Sequence, residues 1–191
     1  MAYTFFYVQV AIEASPYDGL RRQLHDLFVN SAPEQSLADK RMFYKRLVTL
    51  LGEARGRFRF GDWDLLRKAN ANEEFDSWCA ELEQAGATST QSAEPQKDLS
   101  PGLQHVVVTV LILAVRGGSS DDTLGDRCDL QDPDYFTVDT FARLIDTLPM
   151  LTFASIKADA VYLQPGQSDE GWTTGELRSA DWDYLKPLTG L

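Results

Sequence analysis

The most apolar run of the chain covers residues 106–115, between His105 and Arg116. Its side chains are mainly valine, isoleucine and leucine with one threonine, and β-branched residues favour extended backbone. A helix needs about 20 apolar residues to cross a bilayer, so the run is about half long enough. Read as a strand, it is apolar on both faces, which is typical of a strand covered on both sides. The run therefore predicts a central sheet strand rather than a membrane anchor.

In two other segments, the character of the side chains alternates along the chain as it does in β-strands. In residues 3–14, one face carries Thr4 and a series of apolar side chains, whereas the other face is aromatic at first and then mixed. Residues 153–163 alternate similarly, with Ile156, Ala158, Ala160 and Tyr162 predicted to share a face. The connection between 115 and 153 is long enough to hold a helix, so a parallel pairing of these two strands is permitted.

Residue patterns that are typical of helix starts occur between and after these predicted strands. Ser15 with Asp18, and Ser36 with Asp39, have the spacing of reciprocal helix caps, and the second pair predicts a helix to about Ala54. Further helices are predicted at 73–85, from Thr137 or Asp139 to about 148, and after Thr173, which pairs with Glu176 as a cap. Together the elements predict an α+β fold with a small mixed sheet of three or four strands, residues 106–115 central and helices on its faces.

The domain organisation follows from length and composition. A chain of 191 residues is long enough for one domain with a real core. Residues 86–102 are polar and small, and predict a mobile linker inside a single domain spanning 1–191.

Charge is unevenly distributed along the chain. The net charge is -11, but residues 40–68 carry nine bases against three acids, a local charge of +6. Residues 69–191 carry 21 acids against seven bases, a charge of -14. A basic segment on an acidic protein can orient a partner or pair with the protein's own acidic surface.

This charge segregation favours a non-catalytic protein-interaction or adaptor module, with a protein partner or a second copy of the chain as binding partner. The candidate contacts are basic side chains of that segment: Arg41, Lys45, Arg46, Arg55, Arg57 and Arg59.

The alternative is an enzyme or a small-ligand-binding protein with a pocket at the strand ends. Its candidate residues are Gln9, Glu13, His105 and Arg116. The chain contains no GxSxG, HExxH or P-loop motif, so no catalytic residue, cofactor or metal is predicted and an activity is not favoured. The four tryptophans are scattered along the sequence and are interpreted as core residues.

Nucleic acid is not the expected partner, because the net charge is strongly negative. The segment RGRFRFGDW resembles basic-aromatic stacking sequences, but on a short strand Phe58 and Phe60 would point inward, opposite the arginines. Two cysteines do not make a disulfide framework, and with two histidines they offer no close pair of zinc ligands. The chain opens without the pattern of a signal peptide, so we expect a soluble, cytoplasmic protein without membrane insertion.

The segment GGSSDDTLGDRCDLQDPD carries six aspartates between Asp121 and Asp134. Its spacing does not match an EF-hand, and it is predicted to be a long solvated loop. Cation binding by this loop, or its docking on the basic segment, stays open.

The order of the elements resembles a known family. YVQVAIEAS leads into a helix, RFRFGDW follows a second helix, and Phe75 lies on a third. After a polar gap come HVVVTVLILAVRGG, another helix, ADAVYLQP and ELRSADWDYLKPL. Over nearly the whole chain this arrangement is similar to the cyanobacterial and plastid family catalogued as domain of unknown function 1517.

Two strands of that family can be compared with segments of this chain. Its central strand, Val-Val-Thr-Leu-Leu-Val-Ala, is similar to residues 107–110 closely and to 111–114 loosely. Its late strand ends near Trp-Thr-Pro, where this chain has Tyr162-Leu163-Gln164-Pro165. The resemblance implies membrane association of plastid members through segments outside the domain, and it implies no catalytic residue because the family has no established activity.

Overall fold

The computed structural model describes residues 2–15, 19–31, 36–85, 104–166 and 171–190. These residues form six strands in one sheet, in which every strand pair is antiparallel. The strands are β1 (Tyr3–Glu13), β2 (Phe58–Leu66), β3 (Gln104–Val115), β4 (Ile156–Gln164), β5 (Trp172–Thr173) and β6 (Lys186–Pro187). The order across the sheet is β4-β3-β1-β2-β6, and β5 pairs with the start of β3.

Helices cover both faces of the sheet. The described helices are α1 (Gly19–Val29), α2 (Leu37–Glu53), α3 (Ala71–Gln84), α4 (Ser119–Cys128) and α5 (Val138–Thr147). Four of them pack on the first face, and α3 packs on the second. The predicted α+β class is confirmed, although the sheet is larger than the three or four strands expected.

Strand β3 is the centre of this architecture. It pairs with β1 over its whole length, from Tyr3 opposite Val115 to Glu13 opposite His105, and with β4 on its other side. Every residue from Gln104 to Ala114 is buried. The even-numbered valines face the core under α2 and α5, and Val107, Leu111 and Leu113 face the opposite way. The prediction of a strand covered on both faces is therefore confirmed.

The first face carries the main core. Alternate side chains of β1, from Phe6 to Ile12, pack against Leu47 and Leu51 of α2 and against Phe141 of α5. Burying a side chain of this size stabilises the fold by roughly 1.5–3 kcal/mol. Helix α5 also packs on this face, and seven of its ten residues are buried.

The second face is covered in two parts. Helix α3 covers Phe5 and Leu111, whereas the C-terminal segment 171–190 covers Ala11 and Phe60. The predicted cap between Thr173 and Glu176 is present in this segment, because the Glu176 carboxylate accepts the Thr173 N–H at 2.7 Å. The helix predicted after this cap is replaced by two short 3-10 turns, Glu176–Arg178 and Ala180–Trp182.

Two bulges change the faces expected from alternation. In β2, Phe60 lies opposite Ala11 but Phe58 lies opposite Ile12, so the extra residue Arg59 puts the two phenylalanines on opposite faces. Both rings are buried, as predicted, but they enter different cores. In β4, a similar irregularity places Ile156 in the first core, not beside Ala158 as the alternation predicts.

The predicted acidic loop is wrong over most of its length, because Ser119–Cys128 is helix α4. Asp121 and Asp122 lie in its first turn, where the helix dipole favours negative charge. The Asp121 carboxylate accepts the Gly117 N–H at 2.8 Å, and Leu124 is buried under the helix. Helices α4 and α5 return the chain so that β4 runs antiparallel to β3, not parallel.

The capping box of α2 is confirmed, with Ser36 and Asp39 exchanging hydrogen bonds. The predicted linker at 86–102 and the cap residue Asp18 lie outside the described residues. Residues on both sides of that linker contribute to the same sheet, because β1 and β3 pair directly.

Candidate functional site

Polar side chains form a row across the second face of the sheet. Gln9 and Thr109 are fully buried at its centre, and the Gln9 amide donates to Thr109 Oγ1 at 2.7 Å. Beside them, the Tyr7 hydroxyl donates to Asp62 at 2.7 Å. Burial raises the pKa of the Asp62 carboxyl, because the charged form loses solvation. This row separates the apolar cluster under α3 from the cluster under the C-terminal segment.

Three tryptophans and one tyrosine converge next to this row. Trp172 and Trp182 have ring centroids 5.5 Å apart, and the Tyr184 ring lies 6.1 Å from that of Trp182. Trp78, on α3, lies 6.3 Å from Tyr184 and stacks on Tyr7 at 4.4 Å. Burial raises the pKa of Tyr184 to about 12, so its hydroxyl stays neutral at physiological pH.

These rings line a groove between α3 and the C-terminal segment, which we call the aromatic groove. Its volume is about 420 Å³. The side chains of Glu81 on one wall, Asp181 on the other and Gln164 from β4 complete the polar part of the lining. Small-molecule sites are typically apolar clefts of roughly 300–1,000 Å³ with few convergent polar groups, and the aromatic groove fits that description.

Two lining residues of the aromatic groove carry buried polar atoms without a hydrogen-bond partner in the described chain. They are Oε1 of Gln164, an acceptor, and Nε1 of Trp172, a donor. Leaving a buried polar group unpaired costs about 1–3 kcal/mol, so such groups are commonly satisfied by a ligand or an ordered water. Both atoms are buried, so the exposed polar side chains of the groove are Glu81 and Asp181.

The basic residues predicted as interaction contacts separate into two groups. Arg55, in a 3-10 turn, forms an ion pair with Asp139, and Arg59 donates to Glu13 at 2.9 Å. Arg57 lies in the same turn as Arg55. The remaining three lie on the exposed outer side of α2: Arg41, Lys45 and Arg46. Arg55 and Arg59 are therefore paired within the chain, whereas Arg41, Lys45 and Arg46 are exposed on α2.

The residues predicted to form a strand-end pocket are also separated. Glu13 and His105 are paired neighbours at one end of the sheet. Arg116 follows the other end of β3, roughly 35 Å away at about 3.3 Å per residue, and donates to the carbonyl of Tyr3. Gln9 is in the middle of β1, so the four residues do not line one pocket.

The His105 side chain has its own environment. It is 3% exposed, and Nδ1 lies 3.2 Å from the carbonyl oxygen of Trp172. Burial lowers the pKa of His105, because the imidazolium form is desolvated. The side chain therefore links β3 to β5 at physiological pH in its neutral form.

Sequence reasoning missed the aromatic groove because it interpreted the four tryptophans separately as core. Trp63 does lie apart, with its Nε1 donating to the Tyr135 carbonyl. The other three meet only because residues 171–190 fold back over the second face of the sheet. The one available signal was local: Trp172, Trp182 and Tyr184 follow one another in a short acidic segment.

Other chemistry receives little support from the described residues. Burial raises the pKa of the Cys128 thiol to about 12 and also raises that of Cys79, so both are protonated at neutral pH. Within the described ranges, no three histidine, cysteine, aspartate or glutamate side chains are grouped so that they could hold a metal ion. None of the helices described is both long and apolar enough to cross a membrane.

No family model, curated protein or solved structure matches this chain. The resemblance to domain of unknown function 1517 accordingly stays a prediction from the sequence.

Proposed function

We propose that the protein is a non-catalytic small-ligand-binding protein and that the aromatic groove is its binding site. The observation that carries this proposal is the convergence of three of the four tryptophans on a groove of about 420 Å³. Aromatic side chains give a large apolar contact area and restrict the orientation of a ligand. The described residues that line the groove provide four aromatic rings, apolar groups, two carboxylates and an amide, which is a lining suited to binding a small molecule.

The proposal is tested by following the four indole N–H signals in a ¹H–¹⁵N NMR spectrum. A soluble fragment library of neutral, cationic and anionic compounds is added, and the signals are assigned with single Trp→Phe variants. We expect at least one compound to shift the signals of Trp78, Trp172 and Trp182 and to leave Trp63 unchanged. Trp63 is the internal control because it lies on β2 against Tyr135 and does not line the aromatic groove. If no compound moves the three groove signals selectively, the proposed function is wrong.

A second candidate function is the interaction module predicted from charge, with an acidic protein surface as partner. The supporting observation is the outer side of α2, where Arg41, Lys45 and Arg46 are exposed beside Met42, which is 49% exposed. An adjoining groove of about 930 Å³ between α1 and α2 includes Lys45 and Arg46 in its lining. Exposed methionine flanked by cations is suited to an amphipathic acidic segment.

Charge reversal separates this candidate from ligand binding. The triple substitution of Arg41, Lys45 and Arg46 to Glu is compared with a control in which exposed Lys68 and Lys186 become Glu. We expect the triple variant to lose partners that crosslink to the native protein at low salt, or to lose self-association in light scattering, whereas the control keeps them. Identical crosslinked partners and an unchanged oligomeric state in the triple variant would exclude this surface.

A further inference from the structure

The charged side chains lining the aromatic groove have one sign. Glu81 projects from α3 and Asp181 from the C-terminal segment, so each wall of the groove carries one carboxylate. No lysine, arginine or histidine is present among the described residues that line it. Carboxylates on opposite walls attract a cation and repel an anion. Each is exposed and therefore weak by itself, so the selectivity of the groove also depends on its rings.

The rings favour the same sign of charge. The face of an aromatic ring is electronegative, and a cation within about 6 Å of the ring centroid is attracted to it, most strongly by tryptophan. Neighbouring centroids in the groove are 5.5 Å, 6.1 Å and 6.3 Å apart. These spacings allow one small cation to lie within that distance of two adjacent rings.

The composition of the groove also distinguishes an organic cation from a metal ion. A metal ion requires several oxygen, nitrogen or sulfur ligands at short range. No cluster of three such acidic, histidine or cysteine groups exists in the described part of the chain. An alkylated ammonium group is large, weakly hydrated and apolar at its surface, so it gains from contact with rings and with Leu82 and Ala85, which also line the groove.

We propose that the aromatic groove selects a small organic ammonium cation that carries apolar groups, such as a methylated amine. This inference rests on the proposed ligand-binding function and specifies the chemical class of the ligand. The two carboxylates attract the charge, and the rings of Trp78, Trp172, Trp182 and Tyr184 contact the alkyl groups.

The test compares three probes that share a trimethyl-substituted head group and differ in charge. They are choline, its neutral isostere 3,3-dimethylbutan-1-ol, and the anion pivalate, each titrated at constant ionic strength while the indole signals are recorded. A cation–π contribution of about 0.5–2 kcal/mol corresponds to roughly 2–30-fold in affinity. We therefore expect choline to bind several-fold more tightly than the alcohol and pivalate to bind least.

Substitution of the carboxylates gives a second, independent readout. In the double variant Glu81→Gln/Asp181→Asn, we expect choline to lose most of its advantage, while the affinity of the neutral alcohol stays unchanged. Asp183→Asn is the control, because Asp183 is an exposed neighbour of Asp181 that does not line the groove. An unmoved Trp63 signal shows that each variant is folded.

The outcomes distinguish this inference from the function on which it rests. Equal binding of choline and the alcohol, preference for pivalate, or no groove shift with choline overturns the cation proposal. Ligand binding itself still stands if library compounds of another charge shift the three groove signals. If no library compound shifts them, both proposals fail.

Discussion

Gly61→Ala is expected to destabilise the protein by about 3 kcal/mol, because β2 and α5 approach each other too closely for a methyl group. A Cβ added at Gly61 would lie 2.3 Å from Cε1 of Phe141 and 2.6 Å from its Cζ. Phe141 is fully buried in the first core, and because protein cores are close-packed, moving its ring displaces other core side chains. In a chain of this length, a loss of that size lowers the melting temperature by roughly 6–12 °C in thermal unfolding followed by circular dichroism.

Gly52→Ala is the matched control for this prediction. Gly52 lies near the end of α2, and nothing is within 4 Å of the position a Cβ would take. Replacing a helical glycine there should stabilise the protein by about 0.5–1 kcal/mol, because the unfolded chain loses conformational freedom. The same substitution, glycine to alanine, is then expected to lower the stability at position 61 and to raise it at position 52. The clash also predicts that Gly61→Ala costs less in a Phe141→Leu background, and equal losses in both backgrounds would contradict it.

The elements that the sequence predicted correctly are those with a strong local signal. Residues 106–115 are apolar on every side chain but one, and a strand covered on both faces buries all of them except Val115 at its end. The cap at Ser36 and Asp39 marks the start of α2 through hydrogen bonds within four residues. Such features depend on neighbours in the sequence, so a single chain is sufficient to find them.

The features that were missed depend on contacts between distant segments. The bulge at Arg59 is a property of the pairing between β1 and β2, and no residue near it signals an extra position. Helix α4 was interpreted as a solvated loop because its segment is rich in clustered aspartates. The helix forms because Leu124 is buried and because the Asp121 carboxylate accepts hydrogen bonds from Gly117 and from Arg67, the residue after β2.

The candidate site depends even more on contacts between segments that are far apart in the sequence. The aromatic groove requires Trp78, about a hundred residues earlier in the chain, to contact Tyr184 next to Trp172 and Trp182 on the second face of the sheet. The distribution of charge, in contrast, follows directly from the sequence. In the fold, however, Asp139 pairs with Arg55 and Glu13 pairs with Arg59, which partly neutralises the basic segment. A linear charge pattern does not show that two of the six predicted contact residues, Arg55 and Arg59, pair within the chain.

The ion pair between Lys40 and Asp159 provides the other large effect, since Asp159→Ala is expected to destabilise the protein by about 3 kcal/mol. The Asp159 carboxylate joins β4 to α2 by accepting from Lys40 and, at 3.1 Å, from the Tyr44 hydroxyl. The Asp159 side chain is 11% exposed, and Tyr44 is 1% exposed. Burial and the nearby carboxylate raise the pKa of Tyr44 well above its usual range, so its hydroxyl remains a donor that needs an acceptor.

A second aspartate ion pair shows how much of this effect comes from burial. Asp139 pairs with Arg55, but its side chain is 81% exposed, so Asp139→Ala should cost no more than about 0.5 kcal/mol in urea unfolding. Tyr44→Phe should cost about 1 kcal/mol in the native background and close to nothing after Asp159→Ala, because the hydroxyl has then already lost its acceptor. Similar losses for the two aspartates, or an unchanged cost of Tyr44→Phe, would show that the hydrogen bonds of Asp159 do not hold α2 against β4.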